Sequence, residues 1–155
     1  MPVAQERRQT LRVLAVWRSL AGDSLPRRSA VDPRLFEHDW ANCFLVDLDP
    51  EIERSRVAYL GKNLGDATWP MFDRQCLEEF RAGTLLRLAT RPIAQVLDKR
   101  TPIGNAGIAE HEDAFILYRS ILMPLSENGD KIDGLLGAIN YRDASTEEIQ
   151  AMLAA

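Results

Sequence analysis

The longest apolar pattern in the chain lies at residues 113–143. Ala114-Phe115-Ile116-Leu117-Tyr118-Arg119-Ser120-Ile121-Leu122-Met123-Pro124-Leu125 is a β-forming run. The turn residues Ser126-Glu127-Asn128-Gly129-Asp130 follow, and a second apolar run covers 132–141. Asn-Gly is the strongest short hairpin signal, because a type I′ turn needs positive φ at both central residues. The pattern therefore predicts two long antiparallel strands. Phe115, Leu117, Ile121 and Met123 fall on one face of the first strand, and Ile116, Tyr118 and Leu122 on the other. A strand with one wet face would alternate, so this hairpin is expected to be covered on both sides. With Asn128-Gly129 as a two-residue turn, Tyr118 pairs with Ile139 and Arg119 with Ala138. Arg119 and Asn140 then share a face as diagonal neighbours.

Elsewhere the pattern predicts a helix over 10–21, with Gly22 as its C-cap and Pro26 beyond it. Leu11, Leu14, Trp17 and Ala21 form one stripe at helical spacing; Val13, Val16 and Leu20 widen it past the usual surface-helix face. One side would pack on the domain and the other meet a partner, or all of it would pack on the domain. In the connector, Ser29 or Asp32 caps a short turn with Pro33 at its first position and Leu35-Phe36 facing inward. Residues 42–49 and 55–62 read as a strand hairpin, with Val57, Tyr59 and Gly61 on one face. Residues 72–98 are helical but broken at Gly83 and at Arg91-Pro92, giving two or three short helices. Leu85, Leu86, Leu88, Ile93, Val96 and Leu97 are their core-facing positions. Residues 101–112 hold Gly and read as a third strand with a loop. Ser145 with Glu148 forms a capping box for a helix over 145–153.

Length and charge narrow the class. A chain of 155 residues fits one domain. A net charge of −4 argues against non-specific nucleic-acid binding, which needs Lys and Arg to displace phosphate counterions. Cys43 and Cys76 stand alone, without zinc or disulfide spacing, and read as two buried thiols in a reducing compartment. The first residues carry charges where a signal peptide has its apolar core, and no run reaches ~18 apolar residues. The expectation is a cytoplasmic protein with no membrane contact.

Chemistry-bearing clusters are few. His111 in Glu110-His111-Glu112-Asp113 and His38 in Glu37-His38-Asp39 lack the i, i+4 partner of a metal helix. Neighbours on an extended chain also point to opposite faces, so a solvated acidic turn is expected and no metal site. Gly104-Asn105-Ala106-Gly107 lacks the Lys and Ser/Thr of a phosphate loop and reads as a flexible loop. No nucleophile has a recognisable base. More telling are polar residues embedded in apolar strands: Tyr59, Tyr118, Arg119, Ser120, Asn140 and Tyr141. A buried polar group needs a partner or costs a few kcal/mol. Tyr59, Tyr118, Arg119 and Asn140 are the candidate ligand-binding set. Arg119 needs a carboxylate, carbonyls or a ligand anion; otherwise it reaches the sheet edge or pairs across a dimer interface.

Several segments in order resemble the PAS fold, and more narrowly the bacterial stand-alone PAS-like proteins. They are the Trp-containing opening helix, Leu25-Pro26-Arg27-Arg28 with Val31-Asp32-Pro33, Phe44-Leu45-Val46-Asp47 and Arg56-Val57-Ala58-Tyr59-Leu60-Gly61. Met123-Pro124-Leu125-Ser126 before Asn128-Gly129, and Leu135-Leu136-Gly137-Ala138, complete the set. The resemblance implies an α+β fold: a five-stranded antiparallel sheet with inserted short helices and an N-terminal helix. It divides the chain into an N-terminal helix and connector (1–40), a PAS core (41–143) and a C-terminal helix (144–155). It also implies a non-enzymatic sensory or interaction domain that binds a small molecule or a partner protein. Such a domain signals by protein contact as a homodimer, here through Val13, Leu14, Trp17 and Leu20. A ligand-free interaction module is the alternative, and a small α+β enzyme a weaker one. The cofactor is unknown. Haem is not expected. Cys43 falls on a strand, and Cys76 lacks the cysteine segment of flavin photoreceptors, so flavin is not expected either.

Overall fold

The computed structural model describes residues 3–65, 75–111 and 113–154. Its strands are β1 (Cys43–Asp47), β2 (Arg56–Leu60), β3 (Ile103–His111), β4 (Ala114–Leu125) and β5 (Gly134–Asp143). They form one antiparallel sheet in the order β2-β1-β5-β4-β3. The helices are α1 (Val3–Ala21), α2 (Pro33–Phe36), α3 (Leu85–Thr90), α4 (Ile93–Lys99) and α5 (Thr146–Ala154). Their placement makes three layers, with α1 on one face of the sheet and α3 and α4 on the other.

Each face carries its own apolar core. Phe44, Val46, Val57, Ile116, Leu122, Leu135 and Ile139 meet Leu85, Leu86, Leu88, Ile93 and Val96 on the α3/α4 face. Cys43, Leu45, Ile121, Met123, Leu125, Leu136 and Ala138 meet Val13, Trp17 and Phe36 on the α1 face. Arg91-Pro92 falls between α3 and α4, and Gly83 lies just before α3, after a 3-10 turn over Leu77–Glu79; residues 72–74 lie outside the described residues. Asp32 accepts from the Arg34 N–H to cap α2, and Ser145 and Glu148 cap α5 reciprocally. Gly22, at φ +53, follows α1, which starts earlier than the pattern suggested.

Four expectations change. The β4–β5 register pairs Tyr118 with Tyr141 and Arg119 with Asn140, two residues from the predicted pairing. Only Gly129 has positive φ, so no type I′ turn forms. Asn128 Oδ1 instead accepts from the N–H groups of Asp130 and Lys131, and Ser126 Oγ donates to the Lys131 carbonyl. These side-chain bonds stabilise a longer loop over 126–133. A shift of two preserves side-chain parity, so the faces survive the error.

Second, the β1–β2 register is irregular between Leu45 and Val46, which sends Val57 to the α3/α4 face and Tyr59 to the α1 face. Third, β4 is covered on both sides only from Ser120 to its end; Phe115, Leu117 and Arg119 stay half-exposed on the α1 face. Fourth, the Gly104–Gly107 segment lies within β3 as regular strand, not loop. Two smaller corrections follow from burial: Leu35 faces solvent at 48% exposure beside buried Phe36, and Cys76 is half-buried.

Candidate functional site

A cleft of about 1280 Å³, lined by both polar and apolar groups, opens where the N-terminal half of α1 approaches β2, β5 and the 3-10 turn Glu37–Asn42. Its shape depends on a close backbone approach. A Cβ on Gly61 would sit 2.2 Å from the Ala41 carbonyl oxygen, so only glycine lets this turn lie against the end of β2. The Gly61 N–H donates to the Cys43 carbonyl at 2.8 Å and fixes that approach.

Buried polar side chains hold the walls. Arg12 of α1 makes a bidentate pair with the buried Asp39, both bonds at 2.8 Å, which raises the Arg12 pKa. The Cys43 thiol donates to the Asp39 carbonyl. Burial, with the Asp39 carboxylate nearby, pushes that thiol well above its ordinary pKa, so it is a protonated, inert thiol at neutral pH. Asn42 Nδ2 donates to the Ile139 carbonyl, and Asn63 Nδ2 donates to Asn42 Oδ1. The Tyr59 hydroxyl donates to the Trp40 carbonyl at 3.0 Å, and the two rings stack with centroids 4.5 Å apart. Burial lifts the Tyr59 phenol above its ordinary pKa. Arg8 and Lys62 also line the cleft, and neither has an ion pair among the described residues.

The four candidate ligand residues are not brought into one place. Tyr59 and Asn140 line this cleft. Arg119 sits opposite Asn140 on the same face but opens into an adjoining pocket with Leu11, Leu14, Arg18 and Asn105. Tyr118 points to the other face, its phenol raised by burial. Ser120 is buried there too, its Oγ without a hydrogen-bond partner among the described residues.

Of the four residues assigned to a partner helix, Val13 and Trp17 are buried on the chain's own sheet, and Trp17 Nε1 donates to the Pro124 carbonyl at 2.9 Å. Leu14 and Leu20 are half-buried. Asp39, Asn42 and Arg12 were missed. As isolated polar residues they look like ordinary surface groups until the fold brings α1 against the turn at Glu37–Asn42.

His38 is exposed, 3.4 Å from Asp39 Oδ1, and the His111 side chain lies outside the described residues. Among the described residues, no three His, Cys, Asp or Glu side chains gather to hold a metal. No described helix is long and apolar enough to cross a membrane.

Comparison with known proteins supplies the family. None of the curated proteins compared with the chain matches it. Among solved structures, the Rhodobacter sphaeroides LOV protein is 16% identical, with a TM-score of 0.46 over 96% of this chain and 75% of that one. The light-state structure of the blue-light photoreceptor Aureochrome1 LOV is 12% identical, with a TM-score of 0.45 over 81% of this chain and 97% of that one. A light-oxygen-voltage domain studied with a flavin analogue is 16% identical, with a TM-score of 0.43 over 73% and 84%. At these identities the likeness is one of fold. It does correct one expectation: the similar structures are light-oxygen-voltage domains, one of them studied with a flavin analogue, so the expectation that flavin is unlikely does not stand. The family model for the PAS domain matches residues 5–140, and the chain belongs to that family.

Proposed function

We propose that the chain is a non-enzymatic PAS sensory module that binds a small anionic ligand in the α1–β2 cleft and signals as a homodimer by contact with another protein. The cleft carries this reading. It offers a stacked aromatic pair, Trp40 and Tyr59, beside cations Arg8 and Lys62 that have no ion pair among the described residues. A planar ring bearing a carboxylate suits that combination, with the ring on the aromatic wall and the anion toward the cations. Asn140 and Tyr59 both line the cleft. Arg119 serves the adjoining pocket.

The test is a thermal-shift series of aromatic carboxylates on the wild type and on Lys62→Glu. Binding at 100 times the dissociation constant adds ~2.7 kcal/mol of stability, and the variant should lose most of that gain. No stabilisation by any member, with native mass spectrometry showing the bare chain, would overturn the ligand half and leave an interaction module. Visible absorbance of the purified protein decides separately whether it carries a flavin.

A further inference from the structure

The two edges of the sheet are built differently. β2 is five residues long, irregular in register, and met on its outer side by chain: the Val57 N–H donates to the Gln75 carbonyl and the Leu77 N–H to the Ser55 carbonyl. Those are the usual devices for closing an edge. β3 has none of them. It runs nine residues, Ile-Gly-Asn-Ala-Gly-Ile-Ala-Glu-His, in unbroken register with β4, without Pro, Lys or a bulge. Among the described residues its backbone makes no backbone hydrogen bond beyond the β4 ladder. The Ala106 N–H is taken at 3.0 Å by the Asn105 side chain, so this donor points off the ladder and a side chain stands in for the missing strand. By the antiparallel alternation, Gly104, Ile108 and Glu110 present their backbone groups outward as well.

We infer that β3 pairs antiparallel with β3 of a second copy, joining the two sheets edge to edge. This rests on the homodimer reading above and gives it a specific interface. The register that uses the whole strand puts the two-fold axis at Gly107. Ala106 then faces Ile108 of the second copy, and Gly104 faces its Glu110, so outward groups meet outward groups.

Charge fits the same register. Glu110 lies on the α1 face, opposite Phe115, and neither it nor Arg119 has a partner among the described residues. In the dimer, Glu110 of the second copy arrives over Gly104, in the pocket that holds Arg119 and Arg18. Gly104 and Ala106 have almost no side chain to fill the space between them. Leu11 and Ile108, exposed at 52% and 43%, lie on that same face and add apolar surface.

Sedimentation velocity on the full chain tests the pairing. Wild type should sediment as a dimer at micromolar concentration. Glu110→Arg should associate at least ~10-fold more weakly, because two-fold symmetry counts each lost pair twice. The double variant Glu110→Arg/Arg119→Glu should restore the dimer, which a merely misfolded single variant would not do. Ala106→Pro removes an outward donor while sparing the β4 ladder and should also give monomer. A dimer unaffected by Glu110→Arg and Ala106→Pro overturns the β3 pairing but leaves homodimer signalling intact. A wild-type monomer overturns both, and leaves the edge to an extended segment of another protein.

Discussion

Gly137→Ala adds one methyl at the centre of the molecule. Gly137 lies on β5 directly opposite Phe44 of β1, and a Cβ there would meet Phe44 Cζ at 2.0 Å and both Cε atoms within 2.6 Å. Carbon pairs settle near ~3.5–4.0 Å, so the ring must retreat by about 1.5 Å or the strands must part. Neither movement is easy. Phe44 is fully buried against Leu64, Leu122 and Leu135, and β5 is held by β1 on one side and β4 on the other. Overpacking of this kind costs about 1–3 kcal/mol, and the rigid surroundings place it near 3. For a chain of this length that lowers Tm by about 6–12 °C, read by differential scanning calorimetry or denaturant titration. Phe44→Leu alone should cost about 1 kcal/mol. Because it clears the space the methyl needs, the double variant should cost little more than Phe44→Leu alone, a coupling of about 3 kcal/mol. A Gly137→Ala protein within about 0.5 kcal/mol of wild type, or an additive double variant, would refute this account of the interior.

The other expectations concern α1, its anchor and the C-terminal cap. Trp17→Phe should cost about 1–2 kcal/mol by leaving the buried Pro124 carbonyl without its donor, measured by urea unfolding. Trp17→Arg should unfold the α1 layer, not merely weaken association, since it places a guanidinium among Phe36, Met123 and Leu125; circular dichroism separates the two. Asp39→Ala should cost about 1–2 kcal/mol, with amide exchange speeding up in the first turns of α1, because Arg12 remains half-exposed once released. Glu148 has its pKa held down to about 2, chiefly by the Arg142 guanidinium. A lowered folded pKa means its stabilisation is present above the unfolded carboxyl value of ~4.3 and fades as pH falls toward about 2. NMR of α5 amides should show fraying across that window, shifted upward in Arg142→Gln.

Most of the architecture was legible because it follows from period and punctuation. The apolar runs at β4 and β5, the break at Arg91-Pro92 and the Ser145/Glu148 box are local signals that tertiary packing did not override. The β4–β5 register was not legible. Asn-Gly satisfies a type I′ turn, but Asn128 found two backbone donors for its side chain and a longer loop won. The irregularity at Leu45/Val46 left no mark in the sequence at all, and it alone separates Tyr59 from Val57. As for the site, the embedded polar pattern singled out Tyr59, Tyr118, Arg119 and Asn140, and of these the fold sets Tyr59 and Asn140 along the cleft. Asp39 and Arg12 are twenty-seven positions apart and look like ordinary surface charges until α1 crosses the sheet.

That crossing also explains how the cleft could report occupancy. A ligand shifts a conformational equilibrium only by its difference in affinity between two states. The cleft walls come from two bodies: Arg8, Gln9 and Arg12 belong to α1, while Tyr59 and Asn140 belong to the sheet. An anion between them binds only when α1 is docked, so on the proposed reading it favours docking. The far end of α1 is already fixed, by Trp17 on the Pro124 carbonyl, whereas the near end depends on Arg12 and Asp39. Leu11 and Leu14 of the same helix line the pocket over Gly104 and Ala106 of the open β3 edge. A tenfold change in ligand affinity on dimerisation would correspond to about 1.4 kcal/mol per site, and linkage requires the dimer to tighten about tenfold for each of its two clefts that fills.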